Sequence, residues 1–140
     1  MKKNVYFVQV DVSSGKDSKV VYLPYTSGVI IANAFADKQV ASVYEFKEFI
    51  FLRKNIEEAD AEKKSPAVVG FSNYVWNTEY HLALAGEIKK RFPECITVFG
   101  GHNIPQSTDF LEEYAQVDCL CFGEGDVTFE DMGDQVTYPK

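Results

Sequence analysis

The sequence predicts an α/β fold built on a doubly wound parallel sheet, and three stretches predict it. Residues 66–71 (PAVVGF), 95–99 (CITVF) and 117–122 (VDCLCF) are apolar runs of strand length. Helical patterns separate them, and strands alternating with helices imply β-α-β units with parallel pairing. Each run ends in small or polar residues: Ser72-Asn73-Tyr74-Val75-Trp76-Asn77, then Gly100-Gly101-His102, then Gly123-Glu124-Gly125-Asp126. Ligands of such sheets bind outside the carboxyl ends of the strands. The three loops should therefore face one crevice.

The chain in order supports the same plan. Residues 5–12 are rich in β-branched and aromatic side chains and read as the first strand. Ser13-Ser14-Gly15-Lys16-Asp17-Ser18 is turn chemistry. Residues 20–24 are extended, because the residue before Pro24 is pushed out of the helical region. Thr26 or Ser27 is placed to cap a helix running to Ala36, and its apolar content predicts deep burial. A second strand is expected over 42–46, with a continuation to Leu52 left open because the aromatic residues there keep no single period. Residues 56–64 read as a polar, solvated outer helix.

The clearest helix starts at Asn77 or Thr78 and reaches about Phe92, where Pro93 stops it. Glu79 in its first turn and Lys89, Lys90 and Arg91 in its last complement the helix dipole. Leu82, Ala85, Ile88 and Phe92 are its expected inner stripe. Another helix is expected from Ser107 or Thr108 to Tyr114. Residues 127–132 begin like a helix and trail off without completing a unit, which suggests one domain of a longer chain. Five strands with these connections match a flavodoxin-like (Rossmann-like) sheet of order 2-1-3-4-5 in three α/β/α layers.

Composition narrows the function. With 140 residues and 46% hydrophobic content, the chain can build one proper core. A net charge of −7 argues against a general binder of nucleic acid backbones. No apolar run reaches the roughly 20 residues that cross a bilayer, and the start lacks a signal-peptide pattern, so a cytoplasmic protein with no membrane partner is expected. Cys95, Cys119 and Cys121 lie in expected strands. They read as buried free thiols, since cysteine packs as a small apolar residue.

The loops carry the functional signal. Ser72, Asn73, Tyr74, Trp76 and Asn77 combine hydrogen-bonding groups with flat apolar surface. Ser72, at a strand end, reads as a ligand contact, and Asn77 as a helix cap. Gly100-Gly101 and Gly123-Glu124-Gly125 allow a backbone to approach a ligand closely. Together these loops suggest a flat, extended ligand across the sheet edge. No nucleotide-type phosphate cradle is present. His102 sits in the crevice, where it can titrate or ligate. His81 falls inside the long helix and reads as a partly exposed bystander. Nothing in the sequence forms a catalytic triad.

Val69-Gly70-Phe71-Ser72, Trp76-Asn77, Gly100-Gly101, Val117-Asp118 and Gly123-Glu124-Gly125-Asp126, in that order and spacing, resemble the N-terminal cobalamin-binding domain of cobalamin-dependent radical S-adenosylmethionine enzymes. Leu23-Pro24-Tyr25-Thr26-Ser27-Gly28 fits as well. The resemblance implies that Ser72, Asn73, Tyr74, Trp76, Gly100, Gly101, His102, Gly123, Glu124 and Gly125 bind cobalamin (vitamin B12). Ser72 and its loop would meet the nucleotide tail, Gly100 and Gly101 would let it run along the backbone, and the 123–125 loop would line the same groove. It also implies a domain over 1–132, and a linker from 133 to 140 leading to a C-terminal radical domain. That domain would hold a four-iron four-sulfur cluster and S-adenosylmethionine, and one activity the resemblance allows is methyl transfer from methylcobalamin to carbon.

Three departures qualify the resemblance. The D-x-H-x-x-G element of mutases and methionine synthase is absent, since Asp11-Val12-Ser13-Ser14-Gly15 contains no histidine. His102 stands where proline is common in the family. The C-x-x-x-C-x-x-C cluster motif does not occur, so catalysis would belong to the rest of the parent chain. Two other readings stay open: a cofactor-free interaction or regulatory domain of the same fold, and a flavodoxin-type flavin domain.

Overall fold

The computed structural model describes residues 1–11, 23–57, 64–105 and 107–123. The strands are β1 (Lys3–Val8), β2 (Tyr44–Phe46), β3 (Pro66–Ser72), β4 (Ile96–Gly100) and β5 (Cys119–Leu120). The helices are α1 (Tyr25–Ala36), α2 (Lys38–Val43), α3 (Thr78–Arg91) and α4 (Asp109–Glu113). All strands pair in parallel in the order β2-β1-β3-β4-β5, as the sequence predicts. At the carboxyl edge Val8 lies opposite Phe71, and Ser72 opposite Gly100.

Alternation along the strands divides the core between the two faces of the sheet. Tyr6, Val8, Val69, Phe71 and Phe99 pack on one side with Leu84, Ala85 and Ile88 of α3 and Phe110 and Leu111 of α4. Val5, Phe7, Val68 and Val98 pack on the other with Ala34 and Ile30 of α1 and Val40 of α2. This is the expected three-layer arrangement.

Several elements differ from expectation. α1 is largely exposed: only Ser27 and Ala34 are buried, while Tyr25, Val29 and Phe35 face outward. Its apolar residues are spread around the helix rather than gathered in one stripe, and the sheet covers only one side. Pro24, not Thr26 or Ser27, occupies its N-cap, without a side-chain cap. The Gln9 side chain substitutes, accepting from the Ser27 amide at 3.3 Å and hydroxyl at 2.9 Å. α2 was unforeseen. Asp37 caps it, its carboxylate accepting from the Gln39 and Val40 amides. β2 ends at Phe46 and resumes as one bridge between Ile50 and Val8. The inner stripe of α3 is His81, Leu84, Ala85 and Ile88, with Leu82 and Phe92 half-buried beside it. Residues 13–18, most of the outer helix expected over 56–64, and the helix and linker expected after 127 lie outside the described residues.

β5 is short, and a side chain extends its pairing. The Asp118 carboxylate accepts from the Thr97 amide at 2.7 Å, the Thr97 hydroxyl at 3.0 Å and Lys89 Nζ at 2.7 Å. Thr97 is fully buried, so these bonds satisfy donors that water does not reach. Asp118→Ala is expected to lower stability by about 1–3 kcal/mol, the cost of orphaning buried donors, read as a shift in the urea midpoint.

His81 is the largest departure. Its side chain is fully buried, with its ring 5.3 Å from that of Phe71. Burial, and secondarily the nearby Arg53 charge, lowers its pKa from 6.5 to about 3. On acidification the unfolded chain therefore takes up the proton first. The stability of the neutral ring is full above pH 6.5 and is lost as pH falls toward 3, by about 1.4 kcal/mol per pH unit. Urea midpoints from pH 7 to 4.5 should fall more steeply for the wild type than for His81→Gln. Parallel curves would contradict the assignment.

Candidate functional site

The carboxyl ends of β1, β3 and β4 and the first turns of α1 enclose a cavity of about 450 Å³. Its floor exists because side chains are missing. The Phe7 ring lies over Gly70, where a Cβ would sit 2.8 Å from it. Gly100 leaves the adjoining wall open, since its nearest neighbour is Cys121, whose Cβ would lie 3.4 Å from an added methyl. Ile30 and Val98 complete an apolar lining, and the hydroxyls of Thr26 and Ser72 add polar points.

The structure gathers six of the expected site residues on this cavity: Ser72, Tyr74, Gly100, Gly101, His102 and Gly123. Trp76 is not on the cavity wall; it is half-exposed and stacks on Tyr74, which is, with ring centroids 4.7 Å apart and planes 8° apart. The exposed His102 ring lies 5.4 Å from that of Tyr74. Glu124 and Gly125 lie outside the described residues. Asn73 is fully buried and is not on the cavity wall.

Ser72 is the informative residue. It is 7% exposed, and its Oγ has no hydrogen-bond partner among the described residues. A buried hydroxyl without a partner is costly, and this one borders an open cavity that a polar ligand atom can enter. The sequence did not single out the α1 contribution of Thr26, Ser27 and Ile30 as site residues. A signal existed: in a β-α unit the helix starts at the carboxyl edge of the sheet, so its first turn borders the crevice.

Behind the wall lies a hydrogen-bonded lattice. Asn73 donates its amide to Gly100 O at 2.6 Å and accepts from the Asn103 amide at 3.1 Å. Its side chain donates to Phe71 O at 3.2 Å and meets His81 Nδ1 at 2.9 Å. Asn77 stands at the N-cap of α3 without capping it. Instead its Nδ2 donates to Val10 O and Ser72 O, and its Oδ1 accepts from the Tyr74 amide. Gly101 has φ +105°, and a Cβ there would sit 2.7 Å from Asn73 O. A bulky residue at Gly101 would thus displace backbone.

None of the three cysteines is in a disulfide; Cys95 and Cys121 are buried, as expected, while Cys119 is only half-buried. Burial pushes the Cys119 thiol above its usual range. Among the described residues no cluster of three His, Cys, Asp or Glu side chains could hold a metal ion, and no helix is long and apolar enough to cross a membrane.

Comparison with known proteins agrees with this geometry. The family described as B12 binding domain matches residues 26–132. The cobalamin-dependent radical SAM methyltransferase TokK of Streptomyces tokunonensis is 31% identical over 131 residues, covering 93% of this chain and 18% of that protein. The 2-(S-pantetheinyl)-carbapenam-3-carboxylate methyltransferase of Streptantibioticus cattleyicolor is 32% identical over 131 residues, again 93% and 18%. The chain therefore spans about a fifth of the length of these relatives. On the strength of the family match across most of its length, the chain belongs to the B12-binding domain family.

Proposed function

We propose that the cavity at the carboxyl edge receives the nucleotide tail of cobalamin. The Ser72 hydroxyl, without a hydrogen-bond partner among the described residues, carries this reading. A cavity of about 450 Å³ is within the range of small-ligand sites. It suits the tail, whereas the larger corrin must lie outside it. Ser72 Oγ would hydrogen-bond a polar atom of the tail. Gly100 would let the tail lie against the backbone, with Gly101 and Gly123 alongside. Tyr74, Trp76 and His102 would offer flat surface at the mouth, and the 124–125 segment would continue the wall. Asn73 acts from behind the wall.

Bound cobalamin supplies a cobalt–carbon bond for group transfer, and the protein's share is to hold, orient and shield it. The likeness to two methyltransferases supports a parent chain that transfers methyl groups. In that parent, residues 1–132 would form the cofactor module and 133–140 would lead to a radical domain. That domain would hold the iron-sulfur cluster and S-adenosylmethionine.

Titration with hydroxocobalamin followed by desalting should leave cofactor on the wild-type chain. Ser72→Ala should weaken binding about three- to tenfold, the worth of one hydrogen bond. Gly100→Val should weaken it by about tenfold or more and leave thermal stability near that of Gly100→Ala, whose methyl meets only ordinary contacts. Gly101→Ala should instead lower stability, because positive φ and the Asn73 backbone oppose it. Unchanged affinity in a folded Gly100→Val chain would remove the groove from the site. Failure of both this chain and its longer parent to retain cobalamin would sink the reading.

A further inference from the structure

We propose that His81 is the positioning residue of this site: a neutral imidazole, protonated at Nδ1, that orients Asn73 and through it sets the separation of the loops after β3 and β4. What those loops hold rests on the cobalamin reading, but how they are held does not.

The proton positions follow from neighbouring backbone groups. Phe71 O accepts only, so the Asn73 side chain must turn its NH₂ toward it, at 3.2 Å. That leaves Asn73 Oδ1 facing His81 Nδ1 at 2.9 Å. An oxygen acceptor there requires a proton on Nδ1. On the other side of the ring the Val10 amide donates to Nε2 at 3.5 Å, so Nε2 must be bare. Both ring nitrogens are thus committed, and a second proton would set two donors against each other.

His81 also stands where an apolar residue would be expected. It belongs to the inner stripe of α3 with Leu84, Ala85 and Ile88, all fully buried. An imidazole there costs desolvation that a leucine would not. What it adds is direction. Buried polar pairs fix one geometry where apolar packing tolerates several. Asn73, anchored through its side chain, holds the β4 loop with its backbone: its amide donates to Gly100 O and its carbonyl accepts from the Asn103 amide. Gly101 passes so close that its missing Cβ would lie 2.8 Å from Asn73 N. Ser72 and Tyr74 flank Asn73 in sequence and both line the cavity. The Asn73 side chain, tied to Phe71 O and His81, anchors the backbone that makes these contacts, so loss of that anchor would let both walls shift.

Two measurements test this on the whole chain. Long-range ¹⁵N–¹H NMR correlation of the wild type should show His81 protonated at Nδ1 and bare at Nε2. The opposite tautomer would overturn the proposal. Amide hydrogen exchange then separates positioning from general support, comparing His81→Phe, which keeps a ring, with His81→Gln, which keeps a donor and an acceptor. In His81→Phe the Asn73 and Asn103 amides should exchange about tenfold faster or more. The Cys121 amide, bonded to Phe99 O, should hold its rate, and His81→Gln should restore local protection. Uniform acceleration, or none at Asn103, would overturn the proposal. If His81→Phe does not fold, lost Asn103 protection in a folded His81→Gln would overturn it. Hydroxocobalamin affinity should follow the same order, about tenfold weaker for Phe and near wild type for Gln. A wild type that fails to bind cobalamin would defeat the cofactor reading and leave the tautomer and exchange results to decide this one.

Discussion

The site depends on how Asn73 is held. Every polar group of this fully buried residue is engaged: the backbone amide and carbonyl by the β4 loop, the side-chain NH₂ by Phe71 O, and Oδ1 by His81. Parallel strands leave their carboxyl-end backbone groups unpaired once the ladder stops. Something must satisfy those groups where the chain turns away from the sheet. Asn73 does this for β3 and β4 together, and Asn77 does it for β1 and β3 through Val10 O and Ser72 O. The three strand ends are tied into one rigid edge, and Gly101 is glycine because the edge leaves no room for a Cβ.

The two faces of the sheet play unequal parts. On the α3 face the core is continuous up to the carboxyl edge, with Phe71, Phe99 and His81 in ring contact or near it. On the α1 face the apolar cluster thins toward that edge, where Gly70 and Gly100 replace side chains with space. The cavity is thus a gap in the second core, backed by the first. A rigid wall behind an open one lets a site keep its shape before its ligand arrives, which reduces the ordering cost of binding. The Ser72 hydroxyl on that wall has no hydrogen-bond partner among the described residues, a cost in stability at the one wall that faces open space.

The sheet order, the long helix with its charge pattern and the convergence of the loops were legible in the sequence, because each rests on periodicity or chain connectivity. Ser72, Gly100 and Gly123 were legible for the same reason: small or polar residues at strand ends are where a crevice forms. The burial of α1 was not, because mean apolarity does not say which side of a helix meets the sheet. α2 depended on Asp37, a signal only six residues of chain made use of. His81 and Asn73 were misjudged for a deeper reason. A polar residue in an inner stripe is indistinguishable from a surface one until its partner is known, and that partner lies eight residues away across a turn. Sequence spacing predicted the helix but not the turn that folds Asn73 back onto it.

The same lattice separates the roles open to the two histidines. The chain has two histidines, and the stretch after β1 lacks the histidine that other cobalamin domains carry there. His81 has both nitrogens occupied, one against Asn73 and one against the Val10 amide. To ligate a metal it would have to give up a bond that fixes the edge of the sheet, and its full burial leaves no path to one. Of the two histidines, only His102 lines the cavity and is exposed, and it follows the glycine whose conformation the Asn73 backbone constrains. The two histidines thus divide the work that the fold allows. One is buried in the lattice behind the loop, and only the other is exposed at the cavity.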